Sequence, residues 1–147
     1  MRCDAGGNPI AANRASAYIV LGQIYLLADR DADALKVLRK AQREGKPFWQ
    51  SSHPELAILD GALGVLAYRA RHYDEAEFHT RRALESMEKL LGADHPEVAT
   101  VARQLASVLK KQKRKDEARD LDARASRILD RRQIDPRVSA WSWRVPK

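Results

Sequence analysis

The sequence has few of the residues that would mark a secreted, disulfide-stabilised or membrane-spanning protein. A single cysteine, Cys3, excludes an internal disulfide and fits a reducing compartment. The longest apolar run, AYIVLGQIYLLA, is broken by Gly22 and Gln23 and is too short to span a bilayer. The first residues, MRCDAGGNPIAAN, lack the apolar segment of a secretory signal. We therefore expect a cytoplasmic protein that does not bind membranes.

Motifs of enzyme chemistry are also missing. The 147 residues contain no nucleophile motif, phosphate-binding loop, Cys/His metal cluster or paired-carboxylate signature. We therefore expect no catalytic residues, no cofactor and no metal site.

Aromatic residues make up only 6% of the chain, whereas charged residues make up 32% and Ala, Leu and Arg are abundant, which favours helices over strands. The net charge of +7 is unevenly distributed. Residues 1–109 hold 14 basic and 14 acidic residues, whereas residues 110–147 hold 13 basic and 6 acidic ones. This asymmetry indicates either an anionic partner at the C-terminal end or a solubilising helix face.

The chain contains an internal repeat of 42 residues, and such a fixed period predicts a stacked repeat architecture. Each copy reads as two helices joined by a turn, and the turns are ADRD, RARHYD and KQKRKD. The small residue beside each repeat leucine predicts a close approach of the partner helix. Six helices are predicted at 13–28, 31–44, 54–70, 74–91, 96–112 and 116–132. The repeating columns are Leu21/Leu63/Leu105, Gly22/Gly64/Ala106, Ala34/Ala76/Ala118 and Ala41/Ala83/Ala125.

These segments resemble the tetratricopeptide repeat. GALGVLAYRARHYDEAEFHTRRAL and its two counterparts show leucine, a small residue and two alanines at the family's spacing. The 42-residue period, with LESMEKLLGADHPEVA, is similar to the kinesin-light-chain variety. The resemblance implies an all-α, right-handed superhelical solenoid of three antiparallel helix pairs. The expected parts are an N-terminal segment 1–12, repeats at 13–52, 53–94 and 95–132, and an extended C-terminal tail 133–147.

The tripeptide His-Pro-Glu occurs twice, at residues 53–55 and 95–97, either as a chemical site or as a helix start. Ser52 and Asp94, each followed three positions later by a glutamate, read as capping boxes, and proline suits the first helical turn. Stacked repeats would hold the two histidines about 10 Å apart, too far to share a metal. We therefore interpret the tripeptide as a helix start.

The first helices of such repeats are expected to line a concave groove. The groove would change from apolar in repeat 1 to basic in repeat 3, which suits an extended peptide with a hydrophobic and an acidic part. The kinesin-light-chain resemblance implies asparagines before each repeat leucine, but this chain has Val20, Ala62 and Gln104 there. The predicted groove residues are Gln23, Val65, Tyr68, Arg69, Arg103, Gln104, Ser107, Lys110 and Lys111.

The first helix is apolar on nearly every side, so its outer face should be covered. An upstream repeat, the N-terminal segment or a second copy of the protein would each cover it. We predict a homodimer through repeat 1, because the ends of solenoids need capping. The predicted contact residues are Tyr18, Ile19, Leu26 and Leu27.

The tail QIDPRVSAWSWRVPK carries Trp141 and Trp143, which an extended strand would project to one side. The two rings either form a docking motif or fold back to cover repeat 3.

The sequence thus predicts a protein-interaction scaffold without catalysis, whose partner is an acidic protein or peptide. The alternative is nonspecific binding of nucleic acid or another anionic partner through the basic C-terminal third, which includes KKQKRK at 110–115. Interleaved acidic residues and the lack of aromatic residues among the lysines disfavour nucleic acid.

Overall fold

Six α-helices follow one another in the predicted order. The computed structural model describes residues 9–49 and 53–132, so the predicted tail 133–147 lies outside the described residues. α1 begins four residues before the predicted start at residue 13, because proline is accepted in a first helical turn. Every other helix end lies within one residue of its prediction. The helices are α1 (Pro9–Leu27), α2 (Asp31–Gly45), α3 (Pro54–Arg69), α4 (Tyr73–Leu91), α5 (Pro96–Lys111) and α6 (Lys115–Arg132).

The helices pack as three antiparallel pairs, α1 with α2, α3 with α4, and α5 with α6. The pairs stack in chain order, with α3 against α1 and α2, and α5 against α3 and α4. No strand occurs within the described residues. The predicted all-α solenoid of three helix pairs is therefore confirmed.

The turn inside each pair has the same backbone structure. Asp29, Arg71 and Lys113 lie 42 residues apart, and each has a positive φ, of 55°, 63° and 65°. In all three turns, the next residue donates its N–H to the carbonyl five positions earlier, at 2.9 Å. This pattern closes a helix with one left-handed residue. The 42-residue period therefore holds for the backbone as well as for the sequence.

The two His-Pro-Glu tripeptides are helix starts, but the cap is the histidine itself. Nδ1 of His53 and of His95 accepts the backbone N–H of the glutamate two positions later, at 3.2 Å. Proline takes the first helical position, so the residue directly before it becomes the N-cap. The predicted capping box at Asp94 is therefore wrong, and its carboxylate lies 3.7 Å from Arg131 instead. Ser52 lies outside the described residues.

Close approach of the two helices of a pair depends on the small residue beside the repeat leucine, as predicted. A Cβ atom at Gly22 would lie 2.5 Å from Leu38, and one at Gly64 would lie 2.6 Å from Oγ1 of Thr80. Leu38 and Thr80 are 42 residues apart and occupy the same position of the second helix. The same contact is therefore made in repeats 1 and 2.

Repeats 2 and 3 are also joined by a network of four charged side chains. Glu77 accepts hydrogen bonds from Arg81 and Arg114, both at 2.8 Å. Glu117 accepts from the same two arginines, at 2.9 and 2.5 Å. Burial acts to raise the pKa of Glu77, but hydrogen bonds from Arg81, Gln112 and Arg114 outweigh it and hold the pKa below its usual value. Hydrogen bonds from Arg114 and Arg81 likewise lower the pKa of Glu117.

We expect Gly64→Ala to destabilise the protein by about 1–3 kcal/mol, although alanine is the better helix former, because the added methyl group overlaps Thr80. Urea unfolding measures the change. In the double variant with Thr80→Ala, the overlap is removed, so the double variant should lose less stability than the sum of the two single variants. Simple additivity would show that Gly64 is not required for close packing.

We expect Glu77→Gln to cost about 1 kcal/mol at neutral pH, because it removes the charge that both arginines contact. A carboxylate whose pKa is lowered in the folded state stabilises the fold at pH values above its ordinary pKa of 4.5. This stabilisation is lost as the pH falls through the lowered pKa. The variant and the wild type should therefore converge in acid. Urea unfolding between about pH 7 and pH 3 tests this. Glu85→Gln, at an exposed position, is the control and should follow the wild type. A constant difference at every pH would contradict the assignment.

Candidate partner-binding surfaces

Each first helix has one face for the preceding repeat and another for the following repeat. Val20, Ala62 and Gln104 share one position, and their exposed fractions are 55%, 0% and 5%. This face is therefore covered wherever a repeat precedes it. On the other face, Leu26 is buried, whereas the equivalent Lys110 in repeat 3 is exposed. The two ends of the solenoid thus expose faces that are buried between repeats elsewhere.

The N-terminal end is apolar. Ile24 and Leu27 of α1 are 54% and 69% exposed, and Val20 lies on the same side of the helix. The equivalents of Ile24 in repeats 2 and 3 are Leu66 and Val108, and both are buried. The outer face of α1, defined by Val20, Ile24 and Leu27, therefore has the chemistry of an interface between repeats.

The C-terminal end is polar and basic. Arg103 and Ser107 of α5 are half-buried, and Lys110 and Lys111 are exposed. Arg103 reaches Oγ of a serine on α6 at 3.4 Å, and Nζ of Lys110 lies 2.5 Å from Asp122 of α6. We call Arg103, Ser107, Lys110 and Lys111 the repeat-3 surface. Arg103, Ser107 and Lys110 lie where a fourth repeat would stack, and Lys111, at the repeat position of Leu27 and Arg69, lies beside that face.

The structure does not bring all nine predicted groove residues to one surface. Val65 and Gln104 are buried, because their positions on the first helix face neighbouring repeats. Neither amide atom of Gln104 has a hydrogen-bond partner among the described residues. Gln23 and Tyr68 are half-buried, and the Tyr68 ring packs edge-on against another tyrosine ring.

Arg69, also predicted for the groove, joins repeats 1 and 2. Its Nη1 lies 2.7 Å from Oδ1 of Asp31, 3.3 Å from Oδ1 of Asp29 and 3.3 Å from the carbonyl oxygen of Leu26. Both aspartates belong to the turn between α1 and α2 or to the start of α2. The charge of Arg69 is thus matched inside the protein.

The residues predicted for the dimer divide between core and surface. Ile19 and Leu26 are buried in the core, and Tyr18 is half-buried with Nζ of Lys40 over its ring at 5.7 Å. Leu27 is exposed. The prediction that Ile19 and Leu26 form an outer contact is therefore wrong, because they face α2 and α3 rather than solvent. Trp141 and Trp143 lie outside the described residues.

Five of the nine basic residues at positions 110–131 have acidic partners. Besides the contacts of Lys110 and Arg114, three arginines of α6 form ion pairs with carboxylates. These pairs are Arg119 with Asp116, Arg124 with Glu88 and Arg131 with Asp94. Their distribution is that of a salt-bridged helix face, as the alternation of acids and bases predicted.

A cleft that the sequence did not reveal lies between α2 and α4, with α3 as its floor. It has two pockets. The Leu35 pocket, of about 370 Å³, is lined by Leu35, Leu63, Leu66 and charged side chains that include Arg39 and Glu75. The second, which we call the Trp49 pocket, has a volume of about 530 Å³. Its lining residues are Gln42, Arg43, Lys46, Trp49, Leu56 and Arg82.

The Trp49 pocket is shaped by the end of α2. Trp49 is buried, and its ring covers Gly45 so closely that a Cβ atom there would overlap it. The ring also stacks on His53, with ring centroids 6.1 Å apart. The tryptophan therefore fills the space between the end of α2 and the start of α3.

The α4 wall of the cleft contains a buried polar contact. Nδ1 of His79 lies 2.9 Å from Oδ1 of Asp60, and both side chains are buried. Nε of Arg82 lies 3.4 Å from Oδ2 of Asp60, and its guanidinium lies over the exposed ring of Phe78. Asp60, a carboxylate in the apolar middle of α3, and Phe78, an exposed ring on the polar α4, are sequence features that could have indicated this wall.

Within the described residues, no group of three or more His, Cys, Asp or Glu side chains is placed to hold a metal ion. None of the described helices combines the length and apolar character needed to cross a membrane.

Comparison with known proteins identifies the repeat. A search of curated proteins gave no match. The family model for the tetratricopeptide repeat matches residues 52–131, which cover the second and third helix pairs and more than half of the chain. Together with a first helix pair in the same 42-residue register, this match shows that the chain belongs to the tetratricopeptide repeat family.

Proposed function

We propose that this chain is a protein-interaction scaffold that holds an acidic protein or peptide on its repeat-3 surface and catalyses no reaction. Tetratricopeptide repeats are typically non-catalytic modules that bind other proteins. The 42-residue period supports the kinesin-light-chain-like variety, and the single Cys3 supports a cytoplasmic location.

The observation that carries this proposal is the exposure of a stacking face at the C-terminal end. In repeats 1 and 2 the same face is covered by the next repeat, which is a helix pair. In repeat 3 it presents Arg103, Ser107 and Lys110, with Lys111 beside them. A protein segment laid into this position would meet three cations, of which only Lys110 has a carboxylate partner within the described chain. Acidic side chains complement such a surface.

The alternative, nonspecific binding of nucleic acid, has less support. Phosphate binding needs cations that are free to replace counterions. The arginines at positions 114, 119, 124 and 131 all have carboxylates within 4 Å. Lys111, Lys113, Lys115 and Arg127 remain without such partners among the described residues, which is a small cationic set for a nucleic-acid surface.

We expect the double variant Lys110→Glu/Lys111→Glu to lose its acidic protein partners. The wild type and the variant, both nuclease-treated, capture proteins from the source lysate, and quantitative mass spectrometry compares them. The captured acidic proteins should fall at least about tenfold in the variant, because charge reversal replaces attraction by repulsion.

The matched control is Lys36→Glu/Lys89→Glu, which changes the net charge equally at two exposed lysines of α2 and α4. This control should capture the same acidic proteins as the wild type, in the same amounts. Equal losses in both variants would mean that net charge alone governs binding and would contradict the proposal. Capture that disappears with nuclease in the wild type would favour the nucleic-acid alternative.

A second proposal concerns the outer face of α1, where we infer that a second copy of the chain docks. The face carries Val20, Ile24 and Leu27, and all three are more than half exposed. Exposed apolar patches of this kind mark interaction sites. The residues of α3 and α5 that are equivalent to Val20 and Ile24 are all buried, so this part of the face is covered where a repeat precedes it.

The pairing would be two-fold, with α1 against α1. Head-to-tail stacking would bring the apolar outer face of α1 against the repeat-3 surface, where Arg103, which has no carboxylate partner within the described chain, would lose water without gaining one. Two-fold pairing instead places the same apolar side chains on each other, as in isologous interfaces.

We expect the wild type to be a dimer at micromolar concentration and Ile24→Glu to be a monomer, because the variant buries an unpaired carboxylate in the interface. Light scattering coupled to size-exclusion chromatography measures the mass, and circular dichroism checks the fold. Leu91→Glu, at a partly exposed leucine at the end of α4, is the control and should stay dimeric. A monomeric wild type would rule out the dimer.

A further inference from the structure

We propose that the cleft between α2 and α4 is a second binding site, which takes a short extended peptide with an apolar side chain in the Leu35 pocket and a carboxylate in the Trp49 pocket. The occupant is an acidic peptide, distinct from whatever covers the ends of the solenoid.

The two pockets lie along the same faces of all three helices. Each helix gives one lining residue to the Leu35 pocket and one to the Trp49 pocket. In that order they are Leu35 and Gln42 on α2, Leu63 and Leu56 on α3, and Glu75 and Arg82 on α4. Each of these pairs is separated by seven residues, which is two helical turns and about 10.5 Å. The pockets are therefore successive parts of one cleft.

The Leu35 pocket fits an apolar side chain. Leu35 is partly exposed at its edge, and Leu63, Leu66 and Ala67 of α3 form its floor. The charged groups on its rim are already matched inside the protein. Asp31 pairs with Arg69 at 2.7 Å, and Glu75 lies 3.7 Å from Arg39. An apolar side chain can thus enter without separating a buried charge from its partner.

The Trp49 pocket fits an anion. Its lining contains three cations, Arg43, Lys46 and Arg82, and no carboxylate. Arg82 lies near Asp60, but Arg43 and Lys46 have no acidic partner among residues 9–49 and 53–132. Gln42 adds an amide, and Trp49 adds an apolar wall. A carboxylate placed here would meet unmatched positive charge and hydrogen-bond donors.

The occupant is extended rather than helical. Arg39 and Glu75, which both line the Leu35 pocket, join α2 to α4 across the cleft at 3.7 Å. A helix, about 10 Å wide, would have to break this contact, whereas an extended chain can pass it. At about 3.3 Å per residue, the 10.5 Å between the pockets corresponds to about three residues of peptide. The motif is therefore an apolar residue and an acidic residue two to four positions apart.

Arg82 is held in place for this role. Its guanidinium lies between the buried carboxylate of Asp60, at 3.4 Å, and the ring of Phe78, at 5.3 Å from the centroid. His79 holds the other oxygen of Asp60 at 2.9 Å. The cation is therefore fixed before a ligand arrives, which lowers the entropic cost of binding.

A displayed library of random twelve-residue peptides, selected on the full-length wild type, tests the proposal. Selected peptides should share an apolar and an acidic residue at this spacing. Their affinity should fall at least about tenfold for Arg43→Glu/Lys46→Glu, because both unmatched cations are reversed. In a Trp141→Phe/Trp143→Phe background, Trp49 is the only tryptophan, and its fluorescence should change when the peptide binds.

Lys110→Glu/Lys111→Glu is the reciprocal control, because it reverses two cations of the repeat-3 surface and leaves the cleft intact. Its affinity for the selected peptides should equal that of the wild type. Thermal melting of each variant shows that the fold is retained. Leu35→Glu, at the other pocket, should also weaken binding.

Three results would overturn the proposal. The first is that the selected peptides lack acidic residues, the second is that they bind Arg43→Glu/Lys46→Glu as tightly as the wild type, and the third is that selection enriches no peptide. If binding is lost only in Lys110→Glu/Lys111→Glu, the peptides occupy the repeat-3 surface, and the cleft is excluded while the proposed function stands.

Discussion

Stacking of successive helix pairs is the constraint on which the rest of this structure depends. An inner first helix such as α3 must bury one face on the preceding pair and another on the following pair, while its own partner α4 covers a third. A small side chain is needed where α3 meets α4 closely, since a Cβ atom at Gly64 would lie 2.6 Å from Oγ1 of Thr80. The left-handed residue in each turn, such as Arg71, gives the three turns the same backbone structure. The repeated sequence positions therefore correspond to repeated packing contacts between helices.

The period and the turn residues were enough to predict the helices, because both can be read directly from the order of residues in the chain. Five of the six helices begin within one residue of their predicted starts. The helix caps were missed by one position, because a proline in the first turn makes His95 rather than Asp94 the cap. The groove residues were predicted less well. Helical spacing shows that Val65 and Lys110 occupy related faces, but only the neighbouring repeat decides that Val65 is buried and Lys110 is exposed.

The cleft between α2 and α4 could not be read from the sequence for a related reason. Its walls come from three helices, and Arg43 and Arg82 are 39 residues apart in the chain, close to but not in the repeat register. A comparison of the repeats aligns equivalent positions, so it does not detect a site that is built from non-equivalent positions of two repeats. Asp60 is the clearest trace that the sequence offers, since a carboxylate inside an apolar helix needs a partner, and His79 supplies it.

A finite solenoid must expose two unlike ends, and the chemistry of each end determines what can cover it. Here the outer face of α1 is apolar and the repeat-3 surface is basic, so head-to-tail stacking of two copies would bury Arg103, which has no carboxylate partner among the described residues. Two-fold pairing through α1 would place the two repeat-3 surfaces at opposite ends of a dimer. Such a dimer would bind two acidic segments at once, and a partner carrying both segments would gain affinity by avidity without any new contact. In the proposed dimer, the polarity that disfavours head-to-tail stacking would thus leave two repeat-3 surfaces for acidic partners.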